Sequence, residues 1–409
     1  MQTDSNNAVN SGGRIAVVDV LRAFALFGIV ITHSAGGFLA GRPPAPDFMT
    51  FGRVDEIFSQ LNSLFVFGKF YTIFSFLFGL SFAIQIRGAE AKGASFAGRF
   101  AWRLAVLGLI ALAHGLFFTG DVLIIYVALG FLLIPFRKLG TKSLLVIALL
   151  LVFNVPGLLL SLAPTAVPSA DAQALAMQSV RQQFEAKQLG GFSELIATTY
   201  GAGFRSKILF QISTGRLWVT FGLFLLGLAA GRARLFVEST ESRTLFAKLL
   251  IGAGVVALVT TMITLLNSTA FAPPILPRAL ASFLLSAQQA TLSAFYVAAV
   301  TLIYWRDPVH GLLAKLAPVG KMGLTVYLTQ TVFGLGIFYG IGLGMLGKMG
   351  VAAAIGWGVA FFVVQIILAR TWMRRFTMGP VEWLWRSLTY FKLQPIRQQP
   401  ETSGSMQPA

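Results

Sequence analysis

The chain has 409 residues, 56% hydrophobic and only 11% charged, with a mean hydropathy of +0.75, which excludes a water-soluble globule. Apolar runs recur along nearly its whole length, which makes the class all-α, a polytopic transmembrane helical bundle, since a closed barrel needs short alternating segments. The formal charge of +17 falls mainly between the apolar runs, where membrane orientation explains it better than nucleic acid, and the absence of cysteine excludes disulfides, thiolate catalysis and cysteine metal sites.

The polar start, residues 1–13, lacks the basic region of a signal peptide and reads as disordered ahead of a retained first span. Apolar runs then place spans at 15–35, 61–86, 99–118, 120–137, 142–162, 208–230, 245–267, 276–304, 317–345 and 350–372, about ten of ~20 residues each. A cytoplasmic N-terminus puts Arg87, Lys92, Arg99, Arg137, Lys138, Arg232 and Arg234 in inner loops, with Arg374 and Arg375 behind the last span. The outer loops hold few basic residues, so both termini are expected inside. Within the bundle at 14–372, an outer loop at 163–207 contains a helix at Ala170–Lys187 and a break at Gly190-Gly191, as a lid or a solvated cap. The tail at 373–393 mixes arginines with Trp383, Trp385 and Tyr390, which suits a helix lying on the inner surface. Residues 394–409 read as disordered.

The first span carries Asp19, Arg22 and His33 in an otherwise apolar run. At about 100° per residue the three share one stripe, and ionisable groups at membrane depth usually face an interior cavity. Asp19 and Arg22 at i, i+3 form a structural pair, or Arg22 anchors a phosphate. Of the three histidines, His33 and His114 each end an apolar run, while His310 sits in a basic inner loop. The turn after His114-Gly115 brings Gly120-Asp121 within reach, and a carboxylate on an imidazole is the orienter of a general base. Lys69 ends a run as a snorkelling cation or a donor anchor. Gly79 and Ser81 permit close helix contact, and Tyr327 and Gln330 are inter-helix hydrogen-bonding groups or line a substrate path. There is no phosphate loop, zinc-protease motif, nucleophile elbow or dinucleotide fingerprint, and no metal is expected.

Asp19-x-x-Arg22 with His33 resembles the opening signature of the membrane acyltransferase-3 family. Gly68-Lys69-Phe70, Phe74-Ser75-Phe76-Leu77-Phe78-Gly79, His114 with Gly120-Asp121-Val122-Leu123 and Tyr126, Pro318-Val319-Gly320-Lys321-Met322, and Gly379-Pro380-Val381-Glu382-Trp383 resemble the YeiB family. That family is placed in the same transmembrane acyltransferase superfamily, which is similar to the lysosomal heparan-α-glucosaminide N-acetyltransferase. Ala23 departs from the usual glycine, and His33 stands where YeiB relatives commonly have asparagine.

The resemblance implies a multi-pass protein of the bacterial inner membrane that takes an acyl group from cytoplasmic acyl-coenzyme A, the acetyl form first. The acceptor is extracytoplasmic: a cell-envelope sugar, a lipid or an exported metabolite. His33, His114 and Asp121 are then the catalytic candidates, and Arg22 and Lys69 the donor-binding ones. Asp19, Tyr327 and Gln330 are structural or substrate-lining. Membrane lipids and a second copy of the chain are the remaining partners. A transporter or flippase with a polar pathway, or a non-enzymatic scaffold, are the competing readings; the lack of visible inverted repeats tells against the first of these.

Overall fold

A computed structural model describes residues 9–10, 14–40, 43–45, 47–93, 95–161, 169–267, 278–306 and 309–398. Most of the two termini expected to be disordered, and residues 163–168 of the outer loop, lie outside the described residues. Two-residue strands, Val9–Asn10 and Arg14–Ile15, pair antiparallel just before the first helix. Among the described residues, six helical segments are long and apolar enough to cross a membrane, or up to eight if each of two bent pairs counts once. The protein is therefore a helical membrane protein.

Helix α1 (Ala16–Ala35) is the central post, with Val17, Val20, Leu21, Leu26 and Val30 all essentially inaccessible. It stops at Gly36-Gly37, where Gly37 adopts φ +57°. The end of the bundle at which α1 finishes is the upper end, and the opposite end is the lower. The amphipathic α2 (Arg53–Leu61) descends from the upper end and runs through a π-helical turn at Asn62–Val66. The span expected unbroken at 61–86 is interrupted here. Gly68 takes φ +83°, and α3 (Phe70–Glu90) starts afresh beyond it. Phe70 fills the space over Gly28 and packs on Phe24, which puts the break beside the middle of α1.

Helix α4 (Ala97–Gly115) rises, and α5 (Leu123–Phe136) returns from a short turn. Helix α6 (Thr141–Val152) bends by 45° into α7 (Val155–Ser161). Above them α8 (Ala170–Leu189), α9 (Phe192–Thr198) and α10 (Phe204–Ser213) form a cap, with Gly190-Gly191 between α8 and α9. A 66° bend at Gly215, φ +71°, leads into α11 (Arg216–Arg232). The long helices α12 (Thr240–Asn267) and α13 (Arg278–Tyr304) pack on each other. Short α14 (His310–Ala314) and α15 (Ala317–Lys321) precede α16 (Gly323–Phe338) and α17 (Val351–Trp372). Helices α5 and α16, at 14 and 16 residues, are apolar but short for a full crossing.

Helices α3 and α11 cross at close range. A Cβ on Gly79 would lie 2.0 Å from the carbonyl oxygen of Phe224, and one on Gly227 would lie 2.0 Å from that of Phe76. In lipid, where burial of apolar surface drives little association, such backbone proximity is a main source of packing attraction.

At the lower end α18 (Pro380–Tyr390) lies across the bundle. Trp385 stacks under Arg103 and donates its indole N–H to the Arg103 carbonyl, while Glu382 accepts the Leu324 and Thr325 N–H groups that open α16. Residues 394–398, within the tail expected to be disordered, are held against the segment that follows α17. Thr377 N–H donates to Ile396 and Gln398 N–H to Arg375, so backbone pairing replaces disorder over residues 394–398.

The upper cap is tied down by Lys187, which is 2% exposed and donates to the Leu39 carbonyl and the Thr119 hydroxyl. Burial holds this amine down at about 8, against 10.5 when solvated.

Both the glycine crossing and the buried amine can be tested. Gly79→Leu or Gly227→Leu should abolish monodisperse extraction in mild detergent, whereas Gly88→Leu, which meets no atom within 4 Å, should not. For Lys187, the unfolded state holds more protons between pH 8 and 10.5, so stability rises with pH across that window, by up to about 3 kcal/mol. Below it both states are charged and the burial cost is complete. The melting temperature of wild-type protein relative to Lys187→Met should therefore climb between pH 8 and 10; a constant difference would contradict this anchoring.

Candidate functional site

The upper part of the bundle holds one connected polar chain. Asp121 closes the turn between α4 and α5, and its carboxylate accepts the N–H groups of Leu123 at 3.1 Å and Ile124 at 3.3 Å. It thereby satisfies the orphan donors at the start of α5, which is why an aspartate can be 1% exposed here. The same carboxylate lies 2.9 Å from His114 Nδ1 at the end of α4. His114 Nε2 in turn lies 2.8 Å from the Thr331 hydroxyl on α16. An ionised Asp121 takes the Nδ1–H, which leaves Nε2 to accept the Thr331 hydroxyl hydrogen. Tyr327, one turn below Thr331, donates its hydroxyl to Asp121 over 3.5 Å and receives the Val122 N–H at 3.3 Å.

His33 enters this region from α1. Its ring packs on Phe38 and on Phe118, with centroids 5.4 and 5.1 Å away, and His114 meets Phe118 at 6.0 Å. The two imidazoles thus converge on one phenylalanine, as the topology implied, without a hydrogen bond between them among the described residues. The cap supplies cations above. Lys207 Nζ stands 3.8 Å from Asp121 Oδ2 with its side chain 9% exposed. Arg216, at the bend into α11, is boxed by Tyr71, Phe67 and Phe210, with its guanidinium carbon 4.6 to 5.0 Å from their ring centroids. It lies within electrostatic reach of His33.

Below the chain a cavity of about 350 Å³ runs toward the lower end. Ile15, Lys321, Arg103, Glu382 and Trp385 line it toward the lower end, Arg22 and Ser81 further up, and Ile29, Tyr71, Val122 and Tyr327 toward the upper end. Asp19 and Arg22 do form the i, i+3 pair, and Arg22 also donates to Ser81 at 2.7 Å. Asp19 is fully buried, and Gly320 of α15 rests against its backbone carbonyl, where a Cβ would sit at 1.8 Å. Arg22 is thus both half of a structural pair and part of the cavity wall.

One residue departs from what its position suggested. Lys69 does not snorkel: it is 1% exposed, and its ammonium donates to the Ser63 carbonyl at 2.8 Å. The break at Gly68 folds the π-helical turn back over it, and it stands apart from the cavity lining. Gln330 is also off the cavity. It donates to the Leu26 carbonyl and to Gln365, clamping α1, α16 and α17 together. His310 is a local cap, 3.0 Å from the Tyr304 carbonyl. Thr331, Lys207, Arg216 and Ser81 hold or line the site without having been singled out as site residues from the sequence. Thr331 is the i+4 neighbour of Tyr327, a spacing that puts both on one helix face.

Comparison with known proteins gives a family and no activity. Residues 230–392 match a family model described as "Protein of unknown function (DUF418)". The chain is 32% identical over 423 residues to YxaH of Bacillus subtilis (strain 168), an uncharacterized protein, covering 94% of this chain and 96% of that one. An uncharacterized 39.9 kDa protein in the amylase 3′ region of Bacillus acidopullulyticus is 26% identical, covering 94% and 96% of the two chains. YeiB of Escherichia coli (strain K12), also uncharacterized, is 28% identical over 342 residues, or 78% of this chain and 81% of that one. With YxaH 32% identical over nearly the full length of both chains, the chain belongs to the YeiB/YxaH family, and its residues 230–392 carry the DUF418 match.

Proposed function

We propose that the protein is an acyltransferase of the bacterial inner membrane, moving an acyl group, acetyl in the first instance, from acyl-coenzyme A below to an acceptor reaching the site from above. In this reading α5 and α16 complete ten crossings, both termini are cytoplasmic, and the lower end faces the cytoplasm. The basic residues gathered between the helices at that end support the orientation.

The observation that carries the reading is the cavity. Its lining includes Arg103 and Lys321 toward the lower end, Arg22 above them, and Tyr327, whose hydroxyl bonds the carboxylate that orients His114. Acyl transfer from a thioester needs a cationic anchor for the donor's phosphates, a channel for the pantetheine arm, and a base at the reacting carbonyl. Lys321 and Arg103 supply the anchor toward the lower end, with Arg22 above them in the wall. His114 is the base, and Asp121 holds its tautomer. The acceptor is a cell-envelope sugar, a lipid or an exported metabolite. Its approach lies under the cap, where Lys207 and Arg216 favour a molecule bearing an anionic group and His33 offers a second imidazole.

The test uses purified protein with radiolabelled acetyl-coenzyme A in lipid nanodiscs. His114→Ala should lower donor turnover by about 10²–10⁴-fold, the usual contribution of a positioned base. Turnover unaffected by His114→Ala and His33→Ala, with substrate flux continuing without any acyl donor, would sink the reading in favour of a transporter. The double variant Asp19→Asn/Arg22→Leu removes the pair without leaving a lone buried charge. It should weaken donor binding by roughly tenfold while the melting temperature shifts little, consistent with hydrogen bonds to charged groups worth about 1.5–3 kcal/mol. Unchanged donor affinity would assign the pair to structure alone.

A further inference from the structure

We infer that Thr331 is the transient acyl carrier of this site, so that the acyl group crosses it in two displacements through a threonine ester. The inference rests on the acyltransferase reading above and specifies the residue that forms the covalent bond.

Three observations point to it. Asp121, His114 and Thr331 are linked in the order carboxylate, imidazole, hydroxyl at 2.9 and 2.8 Å. These are the distances at which an oriented imidazole activates a nucleophilic hydroxyl. Thr331 is 4% exposed, and its hydroxyl makes its hydrogen bond to Nε2 rather than to a carbonyl of its own helix. Its place along α16 is the third observation. Tyr327 lines the donor cavity and Thr331 does not, standing four residues, about 6 Å, higher on α16. Lys207, at Asp121, marks the cap side. A single direct transfer requires donor and acceptor to meet in one space, whereas neither His114 nor Thr331 belongs to the cavity lining. A hydroxyl between the two sides relieves that requirement.

The steps balance without any redox partner. Thr331 Oγ1 bonds to the thioester carbonyl carbon as its proton passes to His114 Nε2. The carbon–sulfur bond breaks, and the coenzyme leaves as its thiol carrying that proton. An acceptor hydroxyl or amine then attacks the threonine ester and gives its proton to Nε2. The carbon–Oγ1 bond breaks, and Oγ1 recovers the proton.

The experiment is tandem mass spectrometry of full-length protein in nanodiscs, acid-quenched after incubation with acetyl-coenzyme A and no added acceptor, alongside donor binding and turnover. The expected result is acetylation of wild-type protein on Thr331. Thr331→Ser should keep the label on residue 331. Thr331→Val, nearly the same shape, and His114→Ala should bind donor as wild type does and carry no label, with turnover down at least a hundredfold. Wild-type turnover with no acyl group on residue 331, label on a histidine instead, or turnover within threefold of wild type in Thr331→Val would each overturn the carrier role and leave the acyltransferase reading standing. No donor binding by wild-type protein would overturn both.

Discussion

Everything in the upper half of the molecule depends on the Asp121 carboxylate. It is buried and receives five groups: two backbone N–H groups of α5, the imidazole of α4, the phenol of α16 and, at 3.8 Å, the ammonium of α10. Unpaired, a carboxylate at that depth would cost several kcal/mol. The cost is offset only when all of these elements are in position, so one side chain couples the α4–α5 turn, the short helix α16 and the cap. That coupling also explains how α16, too short and too weakly amphipathic to fix its own rotation, presents Tyr327 and Thr331 toward α4 rather than toward lipid.

The lower half is organised by a second buried carboxylate on a different principle. Asp19 pairs within its own helix, with Arg22, and Arg22 reaches across to Ser81 of α3. Glycine does the remaining work, with Gly320 against the Asp19 carbonyl and Gly79 and Gly227 between α3 and α11. Where Asp121 gathers donors from distant segments, Asp19 is neutralised locally and its neighbours come close because they lack side chains. The cavity lies between these two nodes, and its wall includes Asp19 and Arg22 of one and the phenol bonded to the other.

Much of this was legible in the chain. Apolar runs located the helices because a membrane requires each backbone group to be satisfied within its own segment. The His114–Asp121 contact was legible too, since seven residues and a glycine turn separate the partners. The break in the second run was not, because hydropathy is blind to the φ of Gly68. Long-range partners escaped for a similar reason: Thr331 lies 217 residues beyond His114, and nothing distinguishes it from Thr325 or Thr329 until α16 has a rotation. Lys69 misled through its position at the end of a run, where only the fold shows that the Ser63 carbonyl folds back to meet it.

The polar residues of α16 divide by partner. Gln330 and Thr329 bond Gln365, and the Gln330 amide also reaches α1, which fixes α16 against its apolar neighbours. Tyr327 and Thr331 bond Asp121 and His114. A helix clamped by amides that have no acid–base chemistry at neutral pH can carry other hydroxyls without spending them on its own anchorage. That division sets Thr331 apart from the other threonines of α16. Its only hydrogen bond among the described residues is to an imidazole, whereas the Thr329 and Thr325 hydroxyls are engaged by backbone carbonyls and by the Glu382 carboxylate.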